Sequence, residues 1–236
     1  YRAGYIDYPY FEMNSLKCEW IENKWWMYQT TFARPAISGK RYRLLFHGVD
    51  YDAMIYLNGV LLGEHKGMYE SFSYYITRIF EENETLTLKE LIRHAPDEMG
   101  QIGKTSETFT QKSRFNYKWD FSTRLVNLGI WRKVEIVADE NYGIQDISVT
   151  SDVEEDGTGL VDLRGETFAL SESPDGLHVK AEAFWERSLV SSALFPVNDG
   201  RWEGRLLIID PKLWYPNGAG EQPLYTIRLT LEDRTG

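Results

Sequence analysis

The sequence is poor in the residue types from which many functional sites are built. Among its 236 residues there is a single cysteine, Cys18, and there are only four histidines. One cysteine excludes a disulfide framework and any zinc site that needs several thiolates. The histidines lie far apart along the chain, and none has a second metal ligand four positions away. We therefore expect no metal site and no cofactor.

Long apolar runs and an excess of basic residues are also missing. No apolar stretch approaches the ~18 residues of a membrane-spanning helix, so the sequence predicts no transmembrane segment and no membrane partner. With 26 basic and 36 acidic residues the formal net charge is −10, which argues against nucleic acid as a partner. The low cysteine content permits a reducing compartment, and we expect a cytoplasmic location.

Aromatic residues, by contrast, are abundant: they make up 14% of the chain and include 8 Trp and 15 Tyr. This content favours β structure, because flat side chains pack well on a pleated sheet. It also suits carbohydrate binding, since a ring can stack on the C–H face of a sugar. The predicted strands are Trp26–Phe32, Arg41–Phe46, Ala53–Leu57, Val60–Leu62, Ser71–Ile76, Ile130–Val137, Ile144–Thr150, Leu177–Trp185, Arg201–Ile209 and Leu224–Leu231. One further segment, residues 86–92, fits a short helix or a strand equally well.

Turn signals divide the chain. Asn58-Gly59 lies between two apolar strands and predicts a two-residue hairpin, because both central residues of such a turn need a positive φ. The polar stretch Ala138–Gly143 predicts a domain boundary, so we expect residues 1–139 to form one domain and residues 140–236 another. The spacing of the short strands in the second part is typical of an immunoglobulin-like sandwich. The predicted fold class is all-β.

Patterns that carry catalysis in common enzyme classes are absent from the sequence. There is no Gly-x-Ser-x-Gly motif of a serine hydrolase. A retaining glycosidase needs two carboxylates roughly 5 Å apart. The Asn-Glu dipeptide Asn83-Glu84 lies in an acidic stretch that is better explained as a solvated turn. We therefore assign no catalytic residue in this chain.

One cluster has the composition of a ligand site. The segment Arg114–Phe121 places four aromatic residues around a single acid, Asp120. A ring can stack on a sugar while the carboxylate accepts hydrogen bonds from its hydroxyl groups, and binding pockets commonly combine apolar walls with a few polar groups. The alternative is a structural role, in which the rings pack in the core where a strand begins and Asp120 pairs with Arg114 or Arg132.

The segments around this cluster resemble the family-2 glycoside hydrolases, which include β-mannosidases, β-galactosidases and β-glucuronidases. The similar segments, in the order expected for the family, are Trp25–Phe32 ("W-x-Y-x-x-x-F"), Leu45–Gly59 ("F-x-G-V-D-x-x-A-x-V-x-L-N-G"), Gly63–Met68 ("G-x-H-x-G-x"), Trp119–Phe121 ("W-D-W"), Leu128–Val134 ("x-G-I-W-R-x-V") and Leu213–Tyr225 ("L-W-W-P-N-G-x-G-x-Q-P-L-Y"). Each motif alone is weakly specific, whereas their common order is a specific signal. Phe121 departs from the pattern, since it stands where β-mannosidases have a second Trp.

The resemblance implies that the chain contains two different non-catalytic domains. Residues 1–139 would be an N-terminally truncated jelly-roll sugar-binding domain, and residues 140–236 an immunoglobulin-like sandwich. In the family a catalytic (β/α)₈ barrel follows and carries the catalytic glutamates, so this chain would be inactive by itself. It would be the non-catalytic N-terminal part of a retaining exo-β-glycosidase, most similar to β-mannosidases.

The resemblance also implies the site and the partners. Trp119, Asp120 and Phe121 would line the subsite for the non-reducing sugar, on a loop that reaches the mouth of the barrel. The partners would be a β-linked glycoside and the catalytic barrel, and association with further copies of the chain stays open.

Two alternatives remain at the level of the sequence. The first is a free-standing carbohydrate-binding or adhesion module made of two β-sandwiches, which would have a complete N-terminus. The first residues, Tyr1–Tyr5, resemble neither a start site nor a signal peptide, so we expect a piece of a longer protein. The second alternative, an enzyme in its own right, needs a pair of carboxylates that the sequence does not reveal.

Overall fold

The computed structural model describes residues 1–97, 109–171 and 176–233. It divides the chain into two compact units, Tyr1–Ala138 and Asp139–Gly236. The sequence placed the boundary one residue later. Strands dominate both units, so the prediction of an all-β fold is confirmed. Among the described residues, no helix is both long enough and apolar enough to cross a membrane.

In the described part of the first unit there are nine strands and a few short helices. The strands are β1 (Trp26–Ala33), β2 (Arg41–Phe46), β3 (Val49–Asp50), β4 (Asp52–Leu57), β5 (Val60–Lys66), β6 (Phe72–Tyr75), β7 (Thr85–Ile92), β8 (Gly129–Ile130) and β9 (Val134–Asp139). One α-helix, α1, spans Thr77–Glu82. The short 3₁₀ helices are Asn14–Cys18, Ile21–Asn23 and Phe115–Tyr117.

Two sheets enclose the core of the first unit. One has the order β1-β7-β4-β5, the other has the order β6-β2-β9, and β3 pairs separately with β8. Along β2 and β4 every second residue is buried, as expected for strands with one face toward a core. Leu44 and Phe46 of one sheet pack in a single cluster with Ile55 and Leu86 of the other. The β-sandwich prediction is therefore confirmed for this unit.

The second unit is a smaller sandwich of two three-stranded sheets. Its strands are β10 (Tyr142–Val153), β11 (Gly159–Ala169), β12 (His178–Trp185), β13 (Ser188–Pro196), β14 (Arg201–Ile208) and β15 (Tyr225–Glu232). The sheet orders are β10-β11-β14 and β13-β12-β15, with antiparallel neighbours throughout. The predicted inward alternation of Ile227, Leu229 and Leu231 is confirmed, because all three pack on the buried cluster of this unit.

The structure decides the ambiguous segment in favour of a strand. Residues 86–92 belong to β7, which pairs with β1 on one side and with β4 on the other. Every second residue from Leu86 to Ile92 is buried, a period of two that a helix could not produce. The predicted strand Ile130–Val137 is divided between β8 and β9.

The hairpin predicted at Asn58-Gly59 is confirmed. Asn58 has φ 48° and Gly59 has φ 81°, and the turn joins the register pair Leu57 and Val60 of β4 and β5. The Asn58 side chain is also used, since its Oδ1 accepts a hydrogen bond of 2.7 Å from the Thr87 backbone N–H. The turn residue therefore fixes the hairpin to β7 as well as closing it.

Candidate functional site

The residues predicted to bind a sugar lie on one long irregular segment, residues 109–128, which we call the aromatic loop. The 3₁₀ helix Phe115–Tyr117 forms its middle. A tight turn follows, in which the Ser122 N–H donates to the Trp119 carbonyl at 3.2 Å. The Ser122 hydroxyl donates to the Phe115 carbonyl at 3.0 Å and closes the turn onto the helix. Asp120 and Phe121 are the two central residues of this turn, so the backbone brings the predicted site residues together.

Three rings surround the turn. The Phe115 centroid lies 5.8 Å from that of Trp119 and 5.7 Å from that of Phe121, and the Trp119 and Phe121 centroids are 6.1 Å apart. Such edge-on and tilted contacts are favourable for aromatic pairs. Phe121 is 75% exposed and Phe115 is 53% exposed, while Trp119 is half-buried. These three rings therefore line the surface, whereas Tyr117, the fourth ring of the segment, packs in a buried cluster as the structural alternative expects.

The Asp120 carboxylate is exposed at the same turn. Within the part of the chain that the structure describes, it has no hydrogen bond and no ion pair. Arg114 instead donates to the Thr110 hydroxyl at 2.7 Å, and the Arg132 guanidinium lies 4.3 Å from the centroid of the Trp131 ring. Among the described residues, the Arg–Asp pair of the structural alternative is therefore not formed.

The base of the aromatic loop, in contrast, is buried. Tyr117 is only 3% exposed and packs with Ala95 and Val126 in a small apolar cluster. Its hydroxyl donates to the Pro96 carbonyl at 2.5 Å. Burial raises the pKa of the Tyr117 hydroxyl, so it stays protonated and keeps this donor role.

A first charged anchor joins the loop to the N-terminal segment. The Arg124 guanidinium donates to the Tyr117 carbonyl at 2.8 Å and also bonds the Glu22 carboxylate. It lies 3.6 Å from the Glu19 carboxylate. These contacts fix the loop beyond its aromatic turn.

A second charged anchor is buried under the loop. The Lys112 ammonium donates to both oxygens of the Asp50 carboxylate and to the Asn127 carbonyl. The side chains of Lys112 and Asp50 are 0% and 3% exposed. Burial lowers the pKa of Lys112 and raises that of Asp50, and their mutual attraction partly offsets both shifts. Sequence reasoning missed this pair, since nothing in the local pattern distinguishes Lys112 from a surface lysine.

Glu90 is the other buried acid of this unit that sequence reasoning missed. It is 1% exposed, and neither carboxylate oxygen has a hydrogen-bond partner among the described residues. Burial raises its pKa to about 8. Its register position on β7 is opposite Tyr28 of β1, and burial and, to a lesser extent, the charge of Glu90 raise the pKa of the Tyr28 hydroxyl.

The second unit carries an exposed aromatic segment of its own at the motif Leu213–Tyr225. The Gln222 amide donates to the Tyr215 carbonyl at 3.0 Å and to the Gly220 carbonyl at 2.7 Å, which holds the segment in a loop. Trp214 is 55% exposed and borders a groove of about 570 Å³.

No metal centre emerges among residues 1–97, 109–171 and 176–233, which contain no group of three or more His, Cys, Asp or Glu side chains arranged to hold an ion. Cys18 is buried as a free thiol. The ligand site with the strongest support in the first unit is therefore the surface made by Trp119, Asp120 and Phe121.

Known proteins share both the sequence and the fold. The chain is 27% identical over 257 residues to β-mannosidase B of Emericella nidulans, a match that covers 97% of this chain and 29% of that protein. A β-D-mannosidase structure from Dictyoglomus thermophilum matches with a TM-score of 0.81 at 25% identity, covering 100% of this chain and 30% of the other. The fold is also that of a Bifidobacterium dentium β-glucuronidase, with a TM-score of 0.65 at 21% identity over 88% of this chain and 37% of that one. The chain thus spans less than a third of the length of the β-mannosidases it matches.

The family assignment rests on the first unit. The description "Glycosyl hydrolase 2 galactose-binding domain-like" matches residues 1–132, which is more than half of the 236 residues. This range includes strands β1 to β8 and the complete aromatic loop. The predicted resemblance to the family-2 glycoside hydrolases is therefore confirmed. The chain belongs to the glycosyl hydrolase 2 galactose-binding domain-like family.

Proposed function

We propose that this chain is the non-catalytic N-terminal part of a retaining exo-β-glycosidase of the β-mannosidase type. Trp119, Asp120 and Phe121 form part of the subsite that holds the non-reducing sugar. Catalytic carboxylates are supplied by a (β/α)₈ barrel elsewhere in the complete protein. The β-mannosidase relatives support this substrate class, since 97% of the chain aligns with one of them at 27% identity.

The observation that carries the proposal is the exposed Asp120 carboxylate between rings. It has no partner in the described part of the chain, although Arg114 lies only six positions away. A free carboxylate accepts charge-assisted hydrogen bonds from sugar hydroxyls, and these are about twice as strong as bonds between neutral groups. The rings of Trp119 and Phe121 supply the apolar wall for the C–H face of the sugar.

The role of such a subsite follows from differential binding. A hydrogen bond to the sugar raises kcat only if it is stronger in the transition state, where the ring is distorted, than in the ground state. A bond of equal strength in both states does not raise kcat. In retaining glycosidases, ring distortion and hydrogen bonds to the sugar hydroxyls add several kcal/mol to transition-state stabilisation. Asp120 would contribute by orienting the sugar, and it would not itself exchange a proton or form a covalent bond.

The decisive experiment is Asp120→Ala in the full-length enzyme. A charge-assisted hydrogen bond is worth roughly 1.5–3 kcal/mol, so losing two should lower kcat/KM for an aryl β-mannoside about a hundredfold or more. The control is Glu81→Ala, which removes an exposed acid of α1 in the same unit. Equal kcat/KM values for the Asp120→Ala and control enzymes would refute the proposed subsite.

Phe121→Trp tests the specificity of the same surface. Phe121 is 75% exposed at the turn, so a larger ring changes the wall of the subsite without disturbing the core. We expect the ratio of kcat/KM for β-mannosides to that for β-galactosides to change, because the variant restores the Trp-Asp-Trp pattern. An unchanged ratio would limit the subsite to Trp119 and Asp120.

The free-standing carbohydrate-binding module predicts a different result. Such a module would bind mannobiose by itself, and Trp119→Ala would abolish the binding. Under our proposal the isolated chain offers half a subsite and gains too little to overcome the several kcal/mol that association costs. Calorimetric titration of the chain with mannobiose distinguishes the two, and saturable binding would favour the module. A cytoplasmic location stays a prediction.

A further inference from the structure

We propose that Lys112 is a positioning residue that determines where the aromatic turn of Trp119 and Asp120 lies. It acts through the backbone of the aromatic loop and does not touch the substrate. Its consequence for catalysis rests on the proposed function, whereas its effect on the loop does not.

The geometry places Lys112 where it connects both ends of the loop to a strand. Lys112 stands near the start of the aromatic loop, and the carbonyl it bonds belongs to Asn127 near the end, 15 positions later. Asp50, its second partner, lies on β3, 62 positions earlier in the chain. Because Asp50 is paired in register with Gly129 of β8, the anchor is continuous with the strand that follows the loop.

The hydrogen-bond capacity of the ammonium is fully used in this arrangement. A lysine has three N–H donors, and Lys112 directs them to the two Asp50 oxygens and the Asn127 carbonyl. Removing the side chain would leave a buried carboxylate and a carbonyl without their donor. The loop end at Asn127 would then lose its side-chain connection to the start of the loop.

Stability alone does not explain a buried pair of this kind. Burial raises the pKa of Asp50 and lowers that of Lys112, so it disfavours the charged form of each partner. The cost of desolvation therefore offsets part of the attraction between the two charges. Replacing a buried ion pair by apolar groups of similar volume is often neutral or stabilising. Two other charged residues also act on the pair. The positive charge of Arg114 lowers the pKa of Lys112, and the negative charge of Glu22 raises it. What the pair adds is a fixed path for the loop backbone.

Two other constraints act close to the aromatic turn, because the Tyr117 hydroxyl bonds the Pro96 carbonyl and the Arg124 guanidinium bonds the Tyr117 carbonyl. The bonds of the turn itself are local, from Ser122 to Trp119 and Phe115, and from the Leu125 N–H to the Asn116 carbonyl at 2.9 Å. These bonds keep the turn intact but do not fix it to the sandwich. Arg124 bonds the middle of the loop at Tyr117, whereas Lys112 joins the start of the loop to Asn127 near its end.

The test separates loop position from stability with two variants. Lys112→Met removes the donors and leaves the Asp50 charge buried. The double variant Asp50→Leu with Lys112→Met replaces both charged groups by apolar side chains and still lacks the bond to Asn127. Lys133→Met is the matched control, since Lys133 is 69% exposed in the same unit. Two quantities are measured on the 236-residue chain: the urea midpoint of the first unit and hydrogen exchange of peptides within residues 109–128.

We expect the double variant to recover a urea midpoint near wild type, while its loop peptides exchange at least tenfold faster than in the wild type. Lys112→Met should lose both stability and loop protection, and the control should lose neither. Wild-type loop exchange in the double variant would overturn the proposal, because the pair would then serve stability alone. If Lys112→Met does not fold, the double variant still decides the outcome.

A parallel measurement in the full-length enzyme keeps the two proposals apart. If the double variant loosens the loop and lowers kcat/KM at least tenfold for an aryl β-mannoside, both proposals stand. If the loop loosens while kcat/KM is unchanged for both the double variant and Asp120→Ala, the proposed function fails and the positioning role stands. If Asp120→Ala lowers kcat/KM while loop exchange in the double variant is unchanged, the positioning role fails and the proposed function stands.

Discussion

The two units of the chain handle charged side chains in different ways. Among the described residues, Asp50, Glu90 and Lys112 are buried in the first unit, and Asp139, at the boundary where the second unit begins, is 5% exposed. In the second unit the central cluster consists of apolar side chains. A charged pair of the second unit, Arg205 with Asp162, lies at the surface with the two side chains 49% and 47% exposed.

The difference teaches what buried charge contributes in this protein. The second unit consists mainly of paired strands, whose ladders satisfy the backbone, so an apolar core is enough to define it. The first unit must also hold the aromatic loop, a long segment without strands of its own. Long loops without regular structure are commonly functional, and their backbone needs other partners. Lys112 and Arg124 supply those partners, at the cost of desolvating their charges.

The largest expected effect is on the buried pair itself. Asp50→Asn keeps the shape of the side chain but leaves the Lys112 ammonium buried without a counter-charge. Breaking a buried pair on one side costs about 3–5 kcal/mol, so the free energy of unfolding of the first unit should fall by that order. Urea unfolding followed by peptide-resolved hydrogen exchange reports each unit separately. A loss confined to the second unit would contradict the assignment.

The pH dependence of the first unit should come next in size, through Glu90. Its pKa in the folded unit is about 8, above the ordinary value of 4.5 for a glutamate, so the folded state holds a proton that the unfolded state releases. Stability should therefore be highest below about pH 4.5 as far as this group is concerned, and fall as the pH rises toward 8. The slope should reach up to about 1.4 kcal/mol per pH unit.

Glu90→Gln removes this titration and should flatten the slope between pH 5 and 8. Glu84→Gln, at an exposed position at the start of β7, is the control and should leave the slope of the wild type. Urea midpoints of the first unit at intervals across this pH range provide the measurement. The same slope in Glu90→Gln as in the wild type would show that Glu90 does not titrate in this range.

A packing change should have a moderate effect in the second unit. A Cβ at Gly204 would lie 2.1 Å from two atoms of the Phe195 ring, so Gly204→Ala forces the ring to move. Overpacking of this kind costs about 1–3 kcal/mol. Adding Phe195→Leu should relieve part of the cost, and a double-mutant cycle on the urea midpoint measures the coupling. Additive effects would mean that the ring and the new methyl group do not meet.

The smallest effect should come from the surface pair of the second unit. Asp162→Asn is the same chemical change as Asp50→Asn, but both Asp162 and its partner are close to half exposed. Exposed pairs contribute little, because water and salt screen them. We expect an unfolding midpoint within experimental error of wild type. If Asp162→Asn lowered the unfolding midpoint as much as Asp50→Asn does, the buried and the exposed ion pair would contribute equally to stability, contrary to our expectation.

The sequence by itself determined the features that depend on neighbouring residues. Turn chemistry at Asn58-Gly59 gave the hairpin, since positive φ at two successive positions is a local requirement. Alternation gave the inward face of β15, since side chains on a strand point to opposite faces in turn. The residues Trp119, Asp120 and Phe121 came from a resemblance to family motifs, and their role in sugar binding stays a prediction.

Only the tertiary structure decided which polar side chains are buried and which are free. The partners Asp50 and Lys112 are 62 positions apart, and no local pattern connects them. Residues 86–92 became a strand because β1 and β4 flank them, and the same pairing carried Glu90 into the interior. Arg114 lies only six positions from Asp120, yet it bonds the Thr110 hydroxyl. Burial and charge pairing are sums over long-range contacts, so they become defined only when the chain has folded.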